Sequence, residues 1–258
     1  LVLGMGVSGP ALATVISQGI SAVLCLIYMI RHYPILHMKQ DEWKPDGRML
    51  RTLCGMGIPM GLQYSITAIG SVVLQTAVNS LGSMAVAAVS TGSKVSMFFC
   101  CPFDALGGTM ATYAGQNHGA GRTDRIRQGI KDGCKIQLCY CAAAWTAIFL
   151  CKDFAVGLVL GDADPAVTAG ALEYLSVMSL LFCFHGLLMI FRNTLQGLGY
   201  SMQAVISGIG ELVGRSLGGL LAVTKLGYLG ICLANPIAWA LAMFYCIFMV
   251  TRVMKKER

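Results

Sequence analysis

Long apolar stretches without charged residues recur along the whole chain. No Lys, Arg, Asp or Glu occurs in residues 1–30, 52–93, 136–151, 174–191 and 226–251. A helix needs roughly 20 mostly apolar residues to span a bilayer, and the second stretch is long enough for two such spans joined at residues 79–83. The pattern predicts seven helices, approximately at residues 6–30, 53–79, 84–112, 133–153, 170–191, 201–224 and 228–251.

These stretches favour helices over a membrane β-barrel, because barrel strands alternate apolar and polar residues over about 10 positions. The composition also indicates a membrane protein. Hydrophobic residues make up 56% of the chain and charged residues 12%, with a mean hydropathy of +0.68. Such a chain has too few charges to cover a water-soluble domain of this size. We therefore predict an all-α membrane protein with seven transmembrane helices.

Basic residues are concentrated on one side of the predicted membrane. When connecting segments are assigned to alternating sides, fifteen of the 19 Lys and Arg fall in one set, at residues 31–51, 115–135, 192 and 252–258. Only Lys152 and Lys225 lie opposite. The positive-inside rule then predicts a cytoplasmic C-terminus. The net charge of +7 thus indicates topology and attraction to lipid headgroups, and we expect no nucleic-acid partner.

Cysteine usage gives no sign of a metal centre. Most of the 11 Cys lie within apolar runs, where Cys behaves as a small hydrophobic residue. Neither Cys139 and Cys141 nor the pair Cys100 and Cys101 has zinc-ligand spacing or a nearby His. We predict no metal site.

Two segments of the chain share one frame, Gly-x-x-Gly-x-x-Leu-Ala. The first begins at Gly6 and the second at Gly227, 221 residues later, and each opens a long uncharged run. Internal duplication of membrane-spanning segments is typical of transporters built from two structural repeats. The chain is expected to hold the last helix of one repeat and the whole of the next, with Leu1 an internal point of a longer protein.

Three further segments carry a family resemblance. They are Gly57-Ile58-Pro59, residues 115–121 (Gly-Gln-Asn-His-Gly-Ala-Gly) and residues 192–199 (Arg-Asn-Thr-Leu-Gln-Gly-Leu-Gly). With the duplicated segments, their order and spacing resemble the multidrug and toxic compound extrusion (MATE) family. The motif residues are Gly115, Gln116, Asn117, Gly119, Ala120, Gly121, Arg192, Gln196, Gly197 and Gly199.

The resemblance implies a domain organisation. Residues 1–31 would be the last helix of an N-terminal lobe, 32–51 a cytoplasmic inter-lobe loop, 52–252 a complete six-helix C-terminal lobe and 253–258 a basic cytoplasmic tail. The five helices before this segment would be missing from the chain. The missing lobe, membrane lipid and an amphiphilic or cationic substrate are the expected partners, and the bacterial inner membrane is the expected location.

Polar residues within the predicted spans are candidates for a substrate or ion pathway, because ionisable groups in a bilayer are costly. Lys94 is expected near the bilayer midplane, Asp104 further along the same helix, and Glu211 and Arg215 are spaced to pair on one helix face. The candidate set is Gln63, Tyr64, Gln75, Lys94, Asp104, Glu211 and Arg215. The apolar stripe Met97, Phe98, Phe99 and Phe103 is expected in the lobe core, but would suit flat hydrophobic cations if it faced a cavity.

Other polar and proline positions have structural explanations. Pro59, Pro102 and Pro236 lie within apolar runs and are expected to kink their helices around a cavity. Residues 115–121 are expected to end a helix at the cytoplasmic face, with a gate or hinge as the alternative. Arg192 to Gly199 is expected to be a cationic helix end followed by a tight turn. His185 is expected to be a packing residue.

The chain departs from the family pattern in one respect. Some members of the family place coupling carboxylates on their seventh and tenth helices, and the matching helices here have no Asp or Glu in mid-span. Ion coupling is then expected to depend on Glu211 or on a carboxylate of the missing lobe.

The resemblance implies secondary efflux of organic cations in exchange for Na⁺ or H⁺, with no cofactor. A lipid-linked saccharide flippase of the same superfamily is the alternative, and Lys94 and Arg215 are the only cations placed for it. A non-transport membrane protein and an intramembrane enzyme rank lower. Neither Gly-x-Ser-x-Gly nor His-Glu-x-x-His occurs in the chain.

Overall fold

The computed structural model describes residues 8–34, 37, 44–161 and 164–256. These residues are nearly all helical and contain no strand. The start of the first predicted helix, most of the predicted inter-lobe loop and the last two residues of the basic tail lie outside the described residues. The helices are α1 (Ser8–His32), α2 (Gly47–Ser80), α3 (Ser83–Gly119), α4 (Thr123–Leu160), α5 (Pro165–Leu180), α6 (Phe182–Gly197), α7 (Ser201–Leu221) and α8 (Tyr228–Lys256).

The described part of the chain contains seven candidate membrane spans when the bent pair α5 and α6 is counted as one. The other six helices are each long and apolar enough to cross a bilayer. The prediction of an all-α membrane protein with seven spans is therefore confirmed. Leu1–Arg51 and Thr52–Arg258 form two compact units. The predicted domain boundaries and the cytoplasmic C-terminus stay predictions.

Several helices are longer than their apolar stretches. Helix α4 has 38 residues and begins at Thr123, not near residue 133 as predicted. Helix α3 continues to Gly119 instead of ending near residue 112. The predicted basic loop at residues 115–135 is thus mostly helix, because backbone hydrogen bonding continues past the hydrocarbon core into the headgroup region. Only residues 120–122 connect the two helices.

The predicted helix at residues 170–191 is broken at Leu181. Helices α5 and α6 meet there at an angle of 48°. Leu181 leaves the helical region, at φ −103° and ψ 9°, and its N–H donates to Met178 O over 3.1 Å. Phe182, the next residue, is fully buried with its ring edge-on to Phe103. No Pro or Gly lies at Leu181 to mark the break, so the apolar pattern predicts one uninterrupted helix here.

A stripe of small residues joins α7 to α8. Gly210, Gly214 and Gly218 recur every four residues on α7, and each faces an Ala of α8. A Cβ on Gly218 would overlap the backbone of Ala234, and one on Gly214 would overlap that of Ala238. Helices in lipid associate through such close backbone approach, because no hydrophobic effect drives them together. At its far end α7 runs into one π-helical turn, Ala222–Leu226.

The core of the C-terminal unit is built around Phe103 of α3. Its ring packs edge-on against Tyr140, Phe182 and His185. His185 also stacks on Trp239, with ring centroids 4.5 Å apart. His185 is thus buried among aromatic rings, as a packing residue would be.

Two faces of this unit differ in chemistry. Helix α4 exposes large apolar side chains along one side, and Leu150, Phe154 and Leu158 are each more than 70% exposed. This face suits lipid tails. The exposed side of α3 instead carries polar groups along most of the helix, among them Lys94, Asp104, Thr109, Thr112 and Gln116. Polar groups at membrane depth are expected to face protein or water, so this second face is the place to look for a site.

Candidate functional site

A polar pocket of about 410 Å³ lies where α2, α3 and α6 meet. Six of its eight lining side chains are polar or charged, although the helices around it are mostly apolar. The lining residues are Gln63, Tyr64, Asp104, Gly108, Met189, Arg192, Asn193 and Gln196.

The pocket lies near the middle of the long helices. Gln63 and Tyr64 occupy the centre of the 34-residue helix α2. The centre of the 37-residue helix α3 is at Cys101, so Asp104 lies within one turn of it, whereas Lys94 lies two turns away. The predicted placement of Lys94 at the bilayer midplane stays a prediction. Asp104, and not Lys94, is the acidic or basic residue of α3 closest to the helix centre.

Small residues make room for the polar side chains of the pocket. Gln63 is buried, and its Cγ would lie 3.3 Å from a Cβ at Gly208 of α7. Its amide donates to Thr67 Oγ1 over 3.4 Å. A Cβ on Gly107 would lie 3.3 Å from the amide carbon of Asn193, so this Gly admits the Asn side chain.

Arg192 connects the pocket to a buried ion-pair network. It lines the pocket, and its Nη1 donates to Glu211 Oε1 of α7 in a short ion pair. Its Nη2 donates to Met189 Sδ over 3.2 Å. Both charged side chains are more than 90% buried. The prediction that a helix ends at Arg192 is wrong, because α6 continues to Gly197 and carries Arg192 inside.

Arg215 completes the network from the other side. Its Nη2 donates to Glu211 Oε2 over 3.2 Å, as the four-residue spacing predicts. Its Nη1 donates to the Thr67 carbonyl of α2 over 2.8 Å, and its Nε donates to Asn235 Oδ1 of α8 over 3.0 Å. Gly70 leaves space for this side chain, since a Cβ there would lie 3.3 Å from Arg215 Nη1.

The network joins four helices and saturates one carboxylate. Both oxygens of Glu211 accept from guanidinium groups, and two cations share this single anion. A buried ion pair needs all its polar atoms satisfied to offset the cost of leaving water. Asp104 is the second carboxylate of the region and interacts electrostatically with Arg192. Among the described residues it makes no hydrogen bond or ion pair, and it opens into the pocket.

Two predicted pathway residues lie away from the pocket. Gln75 is exposed on α2 and donates to Asn79 Oδ1 over 2.9 Å. Lys94 is exposed on α3 and has no ion-pair partner among the residues that the structure describes. Neither side chain lines the pocket.

The aromatic stripe of α3 divides between the core and the surface. Phe103 is fully buried, whereas Met97 is 72% exposed and Phe98 is 76% exposed. The prediction that the whole stripe is core is therefore wrong. The helix period separates the residues, because Phe103 shares a face with Gly107 and Met110 while Met97 and Phe98 share one with Lys94.

The motif glycines set helix crossings and turns. Gly115 of α3 and Gly197 of α6 meet where these helices cross, and a Cβ on Gly197 would overlap the backbone of Ala111. Gly121 and Gly199 have positive φ values of 68° and 84°, which end α3 and α6 as tight turns. The resemblance thus rests partly on residues that let α3 and α6 approach closely.

The polar motif residues serve different local purposes. Asn117 donates to the Tyr113 carbonyl over 2.8 Å and its own carbonyl accepts from Arg122 N, which closes the α3–α4 turn. Ala120 caps α3 by donating to Gln116 O. Gly119 is the last residue of α3. Gln116 lines a separate open pocket with Thr109, Thr112 and Tyr113, and Gln196 lines the polar pocket.

The three prolines lie inside continuous helices. Pro59 and Pro236 are buried in α2 and α8, and Pro102 is exposed on α3. Their predicted role in kinking helices around a cavity stays a prediction.

Sequence reasoning missed Asn193 and Asn235. Asn193 follows Arg192 within the motif, but the predicted helix ended at residue 191, which placed it in a loop. Asn235 precedes Pro236 in an otherwise apolar run, and this isolated polar residue was the available signal. Thr67 could not have been found, because it enters the ion-pair network only through its backbone carbonyl.

Membrane-length helices around a polar, ion-paired pocket define a polytopic membrane protein. The family profile of MatE matches residues 59–217. The chain therefore belongs to the MatE family, as the motif resemblance predicted. Proteins of this family are transporters and not enzymes.

Known relatives agree with this assignment. Over 207 residues the chain is 25% identical to the probable multidrug resistance protein YpnP of Bacillus subtilis (strain 168), covering 80% of this chain and 45% of that protein. It is 24% identical over 270 residues to the probable multidrug resistance protein YoeA of the same strain, covering 100% of this chain and 58% of YoeA. The chain thus spans about half the length of these relatives.

A solved structure shows the same fold. The crystal structure of MATE in complex with MaL6 superposes with a TM-score of 0.90 at 16% sequence identity. The match covers 99% of this chain and 58% of that one. The part of that chain outside the match is consistent with a missing lobe.

Proposed function

We propose that this chain works with a second lobe to export amphiphilic cations from bacteria across the plasma membrane, in exchange for Na⁺ or H⁺. The observation that carries the proposal is the contrast between two carboxylates. Glu211 is buried with both oxygens paired, whereas Asp104 opens into a polar pocket near the centre of α3. An available carboxylate at this depth can bind a coupling ion or a cationic substrate.

Antiport follows if ion and substrate compete for Asp104. A carboxylate held near the bilayer centre costs about 2.5 to 3.5 kcal/mol when charged, so it favours an occupant that neutralises it. A proton or Na⁺ does so in one state, and the positive charge of a substrate does so in the other. Because only one can neutralise the carboxylate at a time, binding of the ion releases the substrate.

The paired network supports a structural role for Glu211. Binding of an ion to Glu211 would require release of Arg192 or Arg215, and would leave a buried guanidinium unpaired. Arg192 also lies in the pocket with Asp104, so the network fixes the charge that faces this carboxylate. We therefore assign ion coupling in this lobe to Asp104 in preference to Glu211.

Exposed aromatic and thioether groups supply a surface for an amphiphile. Tyr64 lines the pocket and is 67% exposed, and Met97 and Phe98 lie on the exposed face of α3, two turns before Asp104. Aromatic faces attract organic cations, and methionine adapts to ligands of varied shape. These groups suit substrates that are flat, apolar and positively charged.

A lipid-linked saccharide flippase is the second candidate. Its pyrophosphate would need cations, and the structure adds Arg192 to the pocket, next to Asn193 and Gln196. The charge of Arg192 is already paired with Glu211, so this candidate ranks lower.

Efflux of ethidium from drug-sensitive bacteria that express the complete reading frame tests the proposal. We expect efflux to require a Na⁺ or proton gradient and to be lost in Asp104→Asn. Asp132→Asn is the matched control, because Asp132 lies on α4 at the headgroups and pairs with Lys135. Gradient-driven efflux that survives in Asp104→Asn would move coupling to the other lobe. No gradient-driven efflux by the unaltered protein would contradict export and favour the flippase.

A further inference from the structure

A second groove lies between α4 and α8, at the end of the unit where α8 finishes. It has a volume of about 390 Å³. Its rim carries Arg127 and Lys131 of α4 and Lys255 of α8, and its wall carries Ile130, Phe191 and Val250. One side of the groove is thus basic and the other apolar.

The rim has an excess of positive charge. Among the residues that the structure describes, no acidic side chain lines the groove. Arg127 and Lys131 are four residues apart on one helix face, an arrangement that is unfavourable for two like charges without an anion between them. Two basic residues nearby form ion pairs instead. Arg122, the residue before α4, pairs with Asp124, and Lys135 pairs with Asp132, which also interacts electrostatically with Lys131.

The groove is held in shape by a contact between its two helices. Arg127 Nη2 donates to the backbone carbonyl of Met254 over 2.6 Å. This hydrogen bond fixes the last turns of α8 against α4 and places the guanidinium at the rim. The wall below is formed by side chains that already pack in the lobe core, Val250 being buried.

We propose that this groove binds an anionic phospholipid, with the phosphate between Lys131 and Lys255 and an acyl chain along the apolar wall. Basic pockets between transmembrane helices at the headgroup level recognise such headgroups. A positive-inside signal needs only charges on the correct side, and Arg125 and Lys256 provide these without lining the groove. The convergence of three cations beside an apolar wall is what singles out a lipid.

Native mass spectrometry of the purified full-length protein with dioleoyl phosphatidylglycerol tests the proposal. The test variant is Lys131→Gln with Lys255→Gln, and the control is Arg125→Gln with Lys256→Gln. Both remove one charge from α4 and one from α8. We expect phosphatidylglycerol affinity to fall about 25-fold in the test variant, at roughly fivefold for each basic residue, and to stay unchanged in the control.

Three outcomes would overturn the proposal. They are equal losses in both variants, no preference of the unaltered protein for phosphatidylglycerol over phosphatidylcholine, and displacement of the lipid by millimolar inorganic phosphate. The last result would identify a site for free phosphate. Should the test variant fail to fold, Thr251→Glu at the exposed groove position should weaken phosphatidylglycerol binding, while Thr251→Gln should preserve it. Equal binding by these two variants would also contradict the proposal.

Discussion

The guanidinium of Arg215 in α7 donates a hydrogen bond to the backbone carbonyl of Thr67 in α2 over 2.8 Å. That carbonyl also accepts from Ser71 Oγ within α2. The same Arg reaches Glu211 and Asn235, so one side chain links α2, α7 and α8. Because Arg192 adds α6 through Glu211, the network ties α2 and α6, two of the helices that line the polar pocket, to α7 and α8.

Glu211→Ala should destabilise the protein severely. The change would leave two buried guanidinium groups without their shared anion, at a cost of about 3 to 5 kcal/mol in the free energy of unfolding. Thermal unfolding of the detergent-purified protein, followed by loss of the monodisperse peak, measures this effect. Glu211→Gln should be milder, because the amide can still accept one hydrogen bond. An unchanged melting temperature in Glu211→Ala would contradict the structural role of the network.

Gly218→Ala should weaken the packing of α7 on α8. The added methyl group would overlap the Ala234 backbone, and overpacking of this kind costs about 1 to 3 kcal/mol. Gly157→Ala on α4 is the matched control, because nothing lies within 4 Å of a Cβ there. The control should be neutral or slightly stabilising, since Ala is the better helix former. The melting temperatures of Gly218→Ala and Gly157→Ala test this prediction. Equal values would argue against a close approach of α7 to α8.

Single-cysteine labelling should separate the two exposed faces of the lobe. Cys101 lies on α3 one turn before Asp104, and Cys139 lies on the apolar side of α4; both are exposed. A membrane-impermeant maleimide should modify Cys101 if the α3 face borders water, and ethidium should slow this reaction. Cys139 should stay unmodified, because a thiol in lipid is neither hydrated nor ionised. Equal labelling of Cys101 and Cys139 would contradict the interpretation that the α3 face borders water and the α4 face borders lipid.

Tyr64→Ala should weaken ethidium binding. Loss of a cation–π contact is worth about 0.5 to 2 kcal/mol, or roughly 2- to 30-fold in affinity. Tyr64→Phe keeps the ring and should bind nearly as well as the unaltered protein. Fluorescence titration of the purified full-length protein gives both dissociation constants. Equal weakening by the two variants would assign the effect to the hydroxyl group and not to the ring.

The number of spans could be predicted from the sequence because charge-free length directly reflects bilayer thickness. The helix ends could not, because charged residues such as Asp124 and Arg127 are still helical beyond the hydrocarbon core. The misplaced helix end is also the reason why the ion pair between Arg192 and Glu211 was not predicted. A helix predicted to stop at residue 191 places Arg192 in a loop, whereas one more turn carries it inside to Glu211.

The pairing of Glu211 with Arg215 could be predicted from their spacing along one helix. The pocket could not, because it depends on how α2, α3 and α6 meet and on glycines that leave room for Gln63 and Asn193. The bend at Leu181 left no local signal. Only the tertiary packing of Phe182 against Phe103 accompanies it.

The length of α4 has a mechanical consequence. A helix of 38 residues is about 57 Å long, nearly twice the hydrocarbon thickness of a bilayer. The basic first turns and the apolar span therefore belong to one unbroken helix. Any force applied to those turns, by a headgroup or by a partner in solution, tilts the span as a lever does. The basic residues that are predicted to orient the chain in the membrane therefore also lie where such a force would act.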